Sequence, residues 1–237
     1  MKPTLLFLLT LAIVPFATGE PRVDPSEAIV ANYCAASKSQ SQLLKDASMD
    51  VNIDASLPKL KKQGKLSALR KISALGRITY EALKFEGDNT VKNQVITRYL
   101  AAESEAQRDE TPSMAVTPEN YKFKYTGRVE SDGHVPHIFE VTPKKKKQGL
   151  FKGEIWIDAA TYLRIRESGR LVKNPSIFLK KVEFVRQYDI VDGIAVLRHV
   201  ESTVTTRIAG KAELNINYSN FSLNSPRVIA VGETGGQ

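Results

Sequence analysis

The stretch FLKKVEFVRQYDIVDGIAVLRHVESTVTTRI, residues 178–208, decides the architecture of this chain. Phe178 to Ile190 and Ile194 to Ile208 are rich in β-branched and aromatic residues, and Asp192-Gly193 stands between them. Asp-Gly readily adopts the two left-handed conformations that a tight two-residue turn demands. The stretch therefore reads as two long antiparallel strands joined by a hairpin. Asp132-Gly133 repeats the signal. Before it, Tyr121, Phe123, Tyr125, Gly127 and Val129 share one face, while Lys122, Lys124, Thr126 and Arg128 share the other. After it, His134 to Val141 returns. Phe151 to Asp158 and Tyr162 to Leu171 form another pair around Ala159-Ala160, and Ala212, Leu214, Ile216 and Tyr218 alternate up to Phe221.

Upstream, Met49, Val51, Ile53, Ala55 and Leu57 alternate with polar residues, the period of a strand with one face buried. Lys59 to Gly64 reads as a basic turn, and Lys65 to Ser73 and Arg77 to Phe85 as two further strands around a break at Gly76. Two segments keep helical spacing instead. One starts at Asp24-Pro25-Ser26-Glu27 and carries Ile29, Val30, Tyr33, Cys34 and Leu43-Leu44; the other is capped by Asp88 and carries Val91, Val95, Ile96, Tyr99 and Leu100. Hairpin-linked strands exclude a parallel sheet built from βαβ units. The expected fold is α+β and mainly antiparallel: an unclosed half-barrel of about ten strands covered by two helices, because an extended apolar sheet face must close on itself or be covered. Periodicity does not say which face turns inward.

The 237 residues suit one domain, and 42% apolar content is that of a globular chain rather than a disordered one. Lys2 precedes an apolar run from Leu5 to Ala17, followed by Ala17-Thr18-Gly19 with small residues at the −3 and −1 positions. This predicts a secretory signal peptide over residues 1–19, cleaved before Glu20. An uncleaved anchor is the alternative, although the run is short of the roughly 20 apolar residues of a span. Lipidation at the cleavage point needs a cysteine there, and the one cysteine, Cys34, lies downstream. The expected product is periplasmic and not lipidated, with a domain over 20–222 and a flexible tail over 223–237. Cys34 reads as a small buried hydrophobe rather than a reactive thiol.

Chemistry is sparse. No phosphate loop, dinucleotide fingerprint, nucleophile elbow or H-E-x-x-H motif occurs in the sequence. His134 and His137, three apart on one strand, point to opposite faces and make poor joint metal ligands. Glu154 and Asp158 share a strand face with Trp156, but Asp158 opens a turn, where Asp bonds local backbone. The expectation is a protein that is not an enzyme, with no catalytic residue, no metal and no cofactor. The net charge of +8 points to an anionic partner. Lys144, Lys145, Lys146 and Lys147, with Lys59 to Lys62, are either hairpin tips or docking points on anionic phospholipid. Nucleic acid is not an expected partner.

Residues 120–221 resemble the LolA/LolB-like lipoprotein-carrier family, the outer-membrane lipoprotein-sorting proteins. The resemblance is carried by Leu150-Phe151-Lys152-Gly153-Glu154-Ile155-Trp156-Ile157-Asp158, by Thr161-Tyr162-Leu163-Arg164, and by Tyr188, Asp192-Gly193, Gly210 and Leu214 to Tyr218. It implies a half-barrel closed on one side by helices, holding acyl chains of lipoproteins or phospholipids between inner- and outer-membrane envelope proteins of a Gram-negative periplasm. The alternative it leaves is an envelope-sensing or protein-binding module of the same fold without lipid cargo. On the carrier reading the apolar lining is Met49, Val51, Ile53, Tyr121, Phe123, Tyr125, Ile155, Ile157, Val182, Phe184, Leu214 and Ile216, each of which could equally be core packing.

Overall fold

A computed structural model of the protein describes residues 25–108, 114–130, 133, 135–174, 179–207 and 210–224. The segment expected to be a signal peptide, His134 and nearly all of the expected C-terminal tail lie outside the described residues. Helix α1 is Pro25–Leu43, with proline at the start, where its missing N–H costs nothing. Ten strands follow: β1 Ala47–Leu57, β2 Lys62–Ile72, β3 Ile78–Gly87, β4 Tyr121–Arg128, β5 His137–Pro143, β6 Phe151–Ile157, β7 Arg164–Leu171, β8 Leu179–Val191, β9 Ile194–Thr206 and β10 Lys211–Leu223. Between β3 and β4 runs a second helical segment, made of α2 Asn89–Val91, a π turn Lys92–Ile96 and α3 Thr97–Arg108. Its start is capped by Asp88, whose side chain accepts from the Thr90 N–H at 2.6 Å.

All ten strands form one antiparallel sheet in the order β3-β2-β1-β10-β9-β8-β7-β6-β5-β4. It is the expected unclosed half-barrel. Neighbours in the sheet are neighbours in sequence except at one seam, where β1 pairs with β10, Ala47 opposite Leu223 and Ile53 opposite Ile216. The sheet edges are β3 and β4, so the second helical segment is also the connection from one edge to the other. Asp192 and Gly193 both adopt positive φ, 50° and 74°, and close the β8–β9 hairpin as their chemistry requires.

The helix-covered inner face carries two apolar clusters. The first joins Met49, Val51, Ile53, Ala55 and Leu57 of β1, Leu66 of β2, and Leu214 and Ile216 of β10 to Val91, Val95 and Ile96 of the second helical segment. The π turn spaces Val91 and Ile96 five residues apart, and both are fully buried. The second cluster joins Tyr121, Phe139, Val141, Phe151, Ile155, Ile157 and Phe184 to Val30 and Tyr33 of α1. Each fully buried branched side chain contributes about 1.5–3 kcal/mol relative to exposure. Gly153 and Gly169 face each other across β6 and β7. A Cβ on Gly153 would sit 1.9 Å from the Ser168 carbonyl oxygen, so only glycine lets the strands curl this tightly.

The structure departs from the sequence reading in detail. β4 ends at Arg128, not Val129, and a register shift between Tyr125 and Gly127 breaks the alternation that placed Tyr121 and Val129 on one face. Gly127 has φ +136°, and Val129 is exposed. The return strand begins at His137 rather than at residue 134. β10 runs to Leu223, where Asn224 N–H donates to the Asp46 carbonyl, so ordered pairing passes the boundary at 222.

Candidate functional site

The inner face and its two covers are the candidate site. Of the residues expected to line a cavity, Met49, Val51, Ile53, Leu214 and Ile216 lie beneath the second helical segment. Tyr121, Ile155, Ile157 and Phe184 lie in the cluster that α1 covers, with Phe123 half-buried against it. Val182 is half-buried on β8. Tyr125 sits at the rim of edge strand β4, 40% exposed, its ring 5.2 Å from that of Phe139. Apart from Tyr125 and Val182, these side chains belong to the two clusters that include helix residues. An open depression of about 450 Å³ lined by Gly153, Gly169 and Phe184 and a smaller one of about 180 Å³ beside Met49 and Tyr218 have no helix residue in their walls.

What holds the helices down differs on the two sides. On α1, Gln40 grips the β8–β9 hairpin from both ends of its amide: Oε1 accepts from Ala195 N–H at 2.7 Å, and Nε2 donates to the Gly193 carbonyl at 3.1 Å. On α3 the tie is ionic. Arg70 of β2 donates from Nε and Nη2 to one oxygen of Glu103, at 3.1 and 2.9 Å, and the Tyr80 hydroxyl donates to the other. Both side chains are largely withdrawn from water, at 7% and 16% exposure. The Arg70 guanidinium also lies 5.8 Å over the Tyr218 ring, and Tyr218 meets Tyr99 of α3 hydroxyl to hydroxyl at 3.3 Å. Burial and the Glu103 carboxylate push the Tyr80 hydroxyl far above its ordinary range, so it stays a donor.

A second ionic group sits on β7 and β8. Glu167 accepts from Arg164 at 3.0 Å, from Arg186 at 3.4 Å and from the Tyr188 hydroxyl at 3.1 Å. Burial alone would raise the Glu167 carboxyl, but the two guanidinium groups and these hydrogen bonds outweigh it and hold it below the usual carboxylate value. Burial pushes Tyr188 up to about 12 against the pull of the arginines.

None of Arg70, Glu103, Arg164, Glu167 or Arg186 stands out in the sequence. Glu103 reads as the start of a polar loop, whereas α3 continues to Arg108. Arg164 and Glu167 are an odd number apart and should face opposite ways on a regular strand. A bulge pairs Ile157 with Arg164 but Trp156 with Arg166, and so returns both to the inner face. The signal that was available is the density of arginine in Arg164, Arg166 and Arg170 within one short strand.

The remaining candidates are placed plainly. Glu154 is exposed and accepts from the Trp156 indole at 3.3 Å, while buried Asp158 accepts from Thr161 N–H at 2.9 Å and its hydroxyl at 2.8 Å, the turn role expected of it. Lys144 to Lys147 are exposed in the β5–β6 connection. Cys34 is half-buried, and burial raises its thiol, which disfavours the reactive thiolate. Among the described residues no helix is long and apolar enough to cross a membrane.

A family model described as a family of unknown function, DUF5686, matches residues 112–223, just under half of the chain. No curated protein matches it. Among solved structures the chain is similar to a DUF1329 family protein from Desulfovibrio piger, at 15% identity over 86% of this chain and 95% of that one, with a TM-score of 0.47. It is also similar to a putative outer membrane lipoprotein-sorting protein domain from Vibrio parahaemolyticus, at 11% identity, 85% and 94% coverage and a TM-score of 0.43. A LolA superfamily protein from Nitrosomonas europaea follows at 9% identity, 86% and 96% coverage and a TM-score of 0.36. The half-barrel itself rests on the strand order and register described above.

Proposed function

We propose that this protein is an exported, non-catalytic carrier of the cell envelope that holds acyl chains against the inner face of its half-barrel when the second helical segment lifts. The observation that carries this reading is the way that segment is held. It connects one edge strand to the other, covers the apolar cluster built on β1, β2 and β10, and is tied to the sheet at Arg70–Glu103. Such a cover can leave as a unit without breaking the strand ladder.

The cargo class follows from energetics. Each methylene removed from water contributes about 0.8 kcal/mol, so one long acyl chain gains roughly 10 kcal/mol on entering an apolar groove. That is of the same order as the cost of lifting the segment, about 1.5–3 kcal/mol for each of Val91, Val95 and Ile96 together with one ion pair. On this reading Met49, Val51, Ile53, Leu214 and Ile216 receive the chain beneath the second helical segment. Tyr121, Phe123, Ile155, Ile157 and Phe184 form the corresponding floor under α1, with Tyr125 and Val182 at its borders. Lys144 to Lys147 dock the carrier on anionic membrane, and envelope proteins of the two membranes supply and accept the cargo. The leader-like N-terminus supports export to the periplasm.

Native mass spectrometry of the chain from Glu20, purified from a periplasm without detergent, tests the reading. Added mass that fragments to a phospholipid or an acylated peptide is expected. A bare mass, unchanged after incubation with lipids and with lipoprotein, would refute it in favour of a protein-binding module whose helices stay closed.

A further inference from the structure

The inner face is not apolar throughout. Its two hydrophobic clusters are distinct, and the ionic group on β7 and β8 adjoins the second of them at Phe184. Glu167 and Arg186 face each other directly in the β7–β8 register, and the bulge at Ile165 brings Arg164 alongside. The charges in this group do not cancel: two guanidinium groups meet one carboxylate. Glu167 is 2% exposed and sealed, whereas the Arg164 and Arg186 side chains keep 38% and 44% of their surface open. Each arginine gives one hydrogen bond to Glu167 among the described residues, and a guanidinium has five N–H donors. The Arg164 plane lies 4.8 Å over the Tyr188 ring and that of Arg186 4.5 Å over Phe184, which fixes both. Arg164 lies within electrostatic reach of Tyr33 on α1, and Arg186 of Tyr99 on α3.

One arginine would satisfy Glu167. Ion groups of this kind add little stability in their own right, since exposed pairs contribute about 0–1 kcal/mol and buried ones are often matched by an apolar replacement of the same shape. We propose that Arg164 and Arg186 form an oxyanion subsite for the headgroup of an anionic amphiphile, a phosphate or carboxylate, whose chains extend to either side along the two apolar clusters. Glu167 is the internal counter-ion that holds the two guanidinium groups in position while the site is empty. The assignment rests on the acyl-carrying reading for its tails, but not for its anion.

The test uses the delipidated full chain and two probes with the same chains, dioleoyl phosphatidylglycerol and dioleoylglycerol, with binding read by competition in native mass spectrometry. Wild type should prefer the phosphatidylglycerol by roughly tenfold or more, the worth of charge-assisted hydrogen bonds. Arg186→Gln should remove most of that preference and leave dioleoylglycerol binding unchanged. Glu167→Gln keeps the shape and frees both guanidinium groups, so it should strengthen the preference, which a purely structural role for Glu167 would not do. Should Arg186→Gln fail to fold by circular dichroism, Arg186→Lys keeps the charge and should retain part of the preference. A third arm follows the arginine side-chain N–H resonances by NMR during titration with inorganic phosphate. Equal binding of both lipids, unaffected by either variant, would overturn the headgroup site and leave the carrier reading standing. No lipid binding together with phosphate-dependent shifts of Arg164 and Arg186 would overturn both the headgroup assignment and the carrier reading, in favour of a free-anion site. Neither lipid binding nor shifts would refute site and carrier alike.

Discussion

Glu103→Ala isolates the tie between α3 and the sheet. Arg70, 7% exposed in the intact protein, then keeps the Tyr218 ring at 5.8 Å and the Met49 sulfur at 3.7 Å but loses its carboxylate. Removing one partner of a buried pair costs about 3–5 kcal/mol. The 16% exposure of Glu103 lets water reach the vacated space and favours the lower end, about 3 kcal/mol. Tyr80 loses its acceptor as well, which adds about 1 kcal/mol. A loss near 4 kcal/mol corresponds to a fall in Tm of roughly 8–16 °C for a domain of this size. Urea denaturation measures the global change, and hydrogen exchange over Val95 to Leu100 tells whether the cover opens first. The double variant Arg70→Met with Glu103→Leu removes both charges and should recover to within about 1 kcal/mol of wild type. A loss below about 1 kcal/mol for Glu103→Ala, the range of a surface ion pair, would refute the reasoning and leave the helix held by apolar contacts alone.

Other perturbations separate the remaining claims. Gly153→Ala should cost about 3 kcal/mol or more, because its Cβ meets backbone rather than a movable side chain; an alanine variant with the wild-type urea midpoint would mean that the curl does not depend on this close approach. Gly76→Ala has φ +77° but open space around it, and should cost only about 1 kcal/mol in the same assay. The Glu167 carboxyl is lowered in the folded state, so its contribution is complete above the unfolded value of about 4.3 and is lost as pH falls through the folded value. Urea midpoints taken between about pH 5 and pH 3 should therefore decline less steeply in Glu167→Gln, and parallel curves would contradict the ionised assignment. Replacing Lys144 to Lys147 by serine should weaken binding to anionic vesicles in a salt-dependent way, and unchanged sedimentation with vesicles would reduce those lysines to a solvated tip.

The fold was legible because its signals are local. Alternation over Met49 to Leu57 and Ala212 to Phe221, and the Asp192-Gly193 turn, each specify a strand or hairpin from a few residues, and the observed β1, β10 and β8–β9 follow them. The partnership of β1 with β10 is different, for no local pattern tells two distant strands that they are neighbours. The ionic groups escaped for a related reason. Arg164 joins Glu167 only through a one-residue bulge, and Glu103 reaches Arg70 only because tertiary packing extends a helix through a polar stretch of low intrinsic signal. Nine of the twelve residues named as a lining, all but Phe123, Tyr125 and Val182, were legible as buried positions, while the charged groups of the same face had no periodicity to give them away.

The β1–β10 seam also dictates when this protein can fold. Ser48 and Ser222 hydrogen-bond at 2.9 Å across 174 residues, so an interior seam of the sheet is made by the two strands furthest apart in time of synthesis. Until Lys211 to Leu223 is available, the chain can form only a three-stranded piece, β1 to β3, and a six-stranded piece, β4 to β9, each ending in a long unpaired edge. Such edges invite pairing with other chains. Distant pairing of this kind is slow, because chain closure precedes any reward from contacts. A polypeptide passing end-first through a narrow pore would thus remain uncommitted until its last strand emerged. The two pieces would then be joined through β10 in one late step.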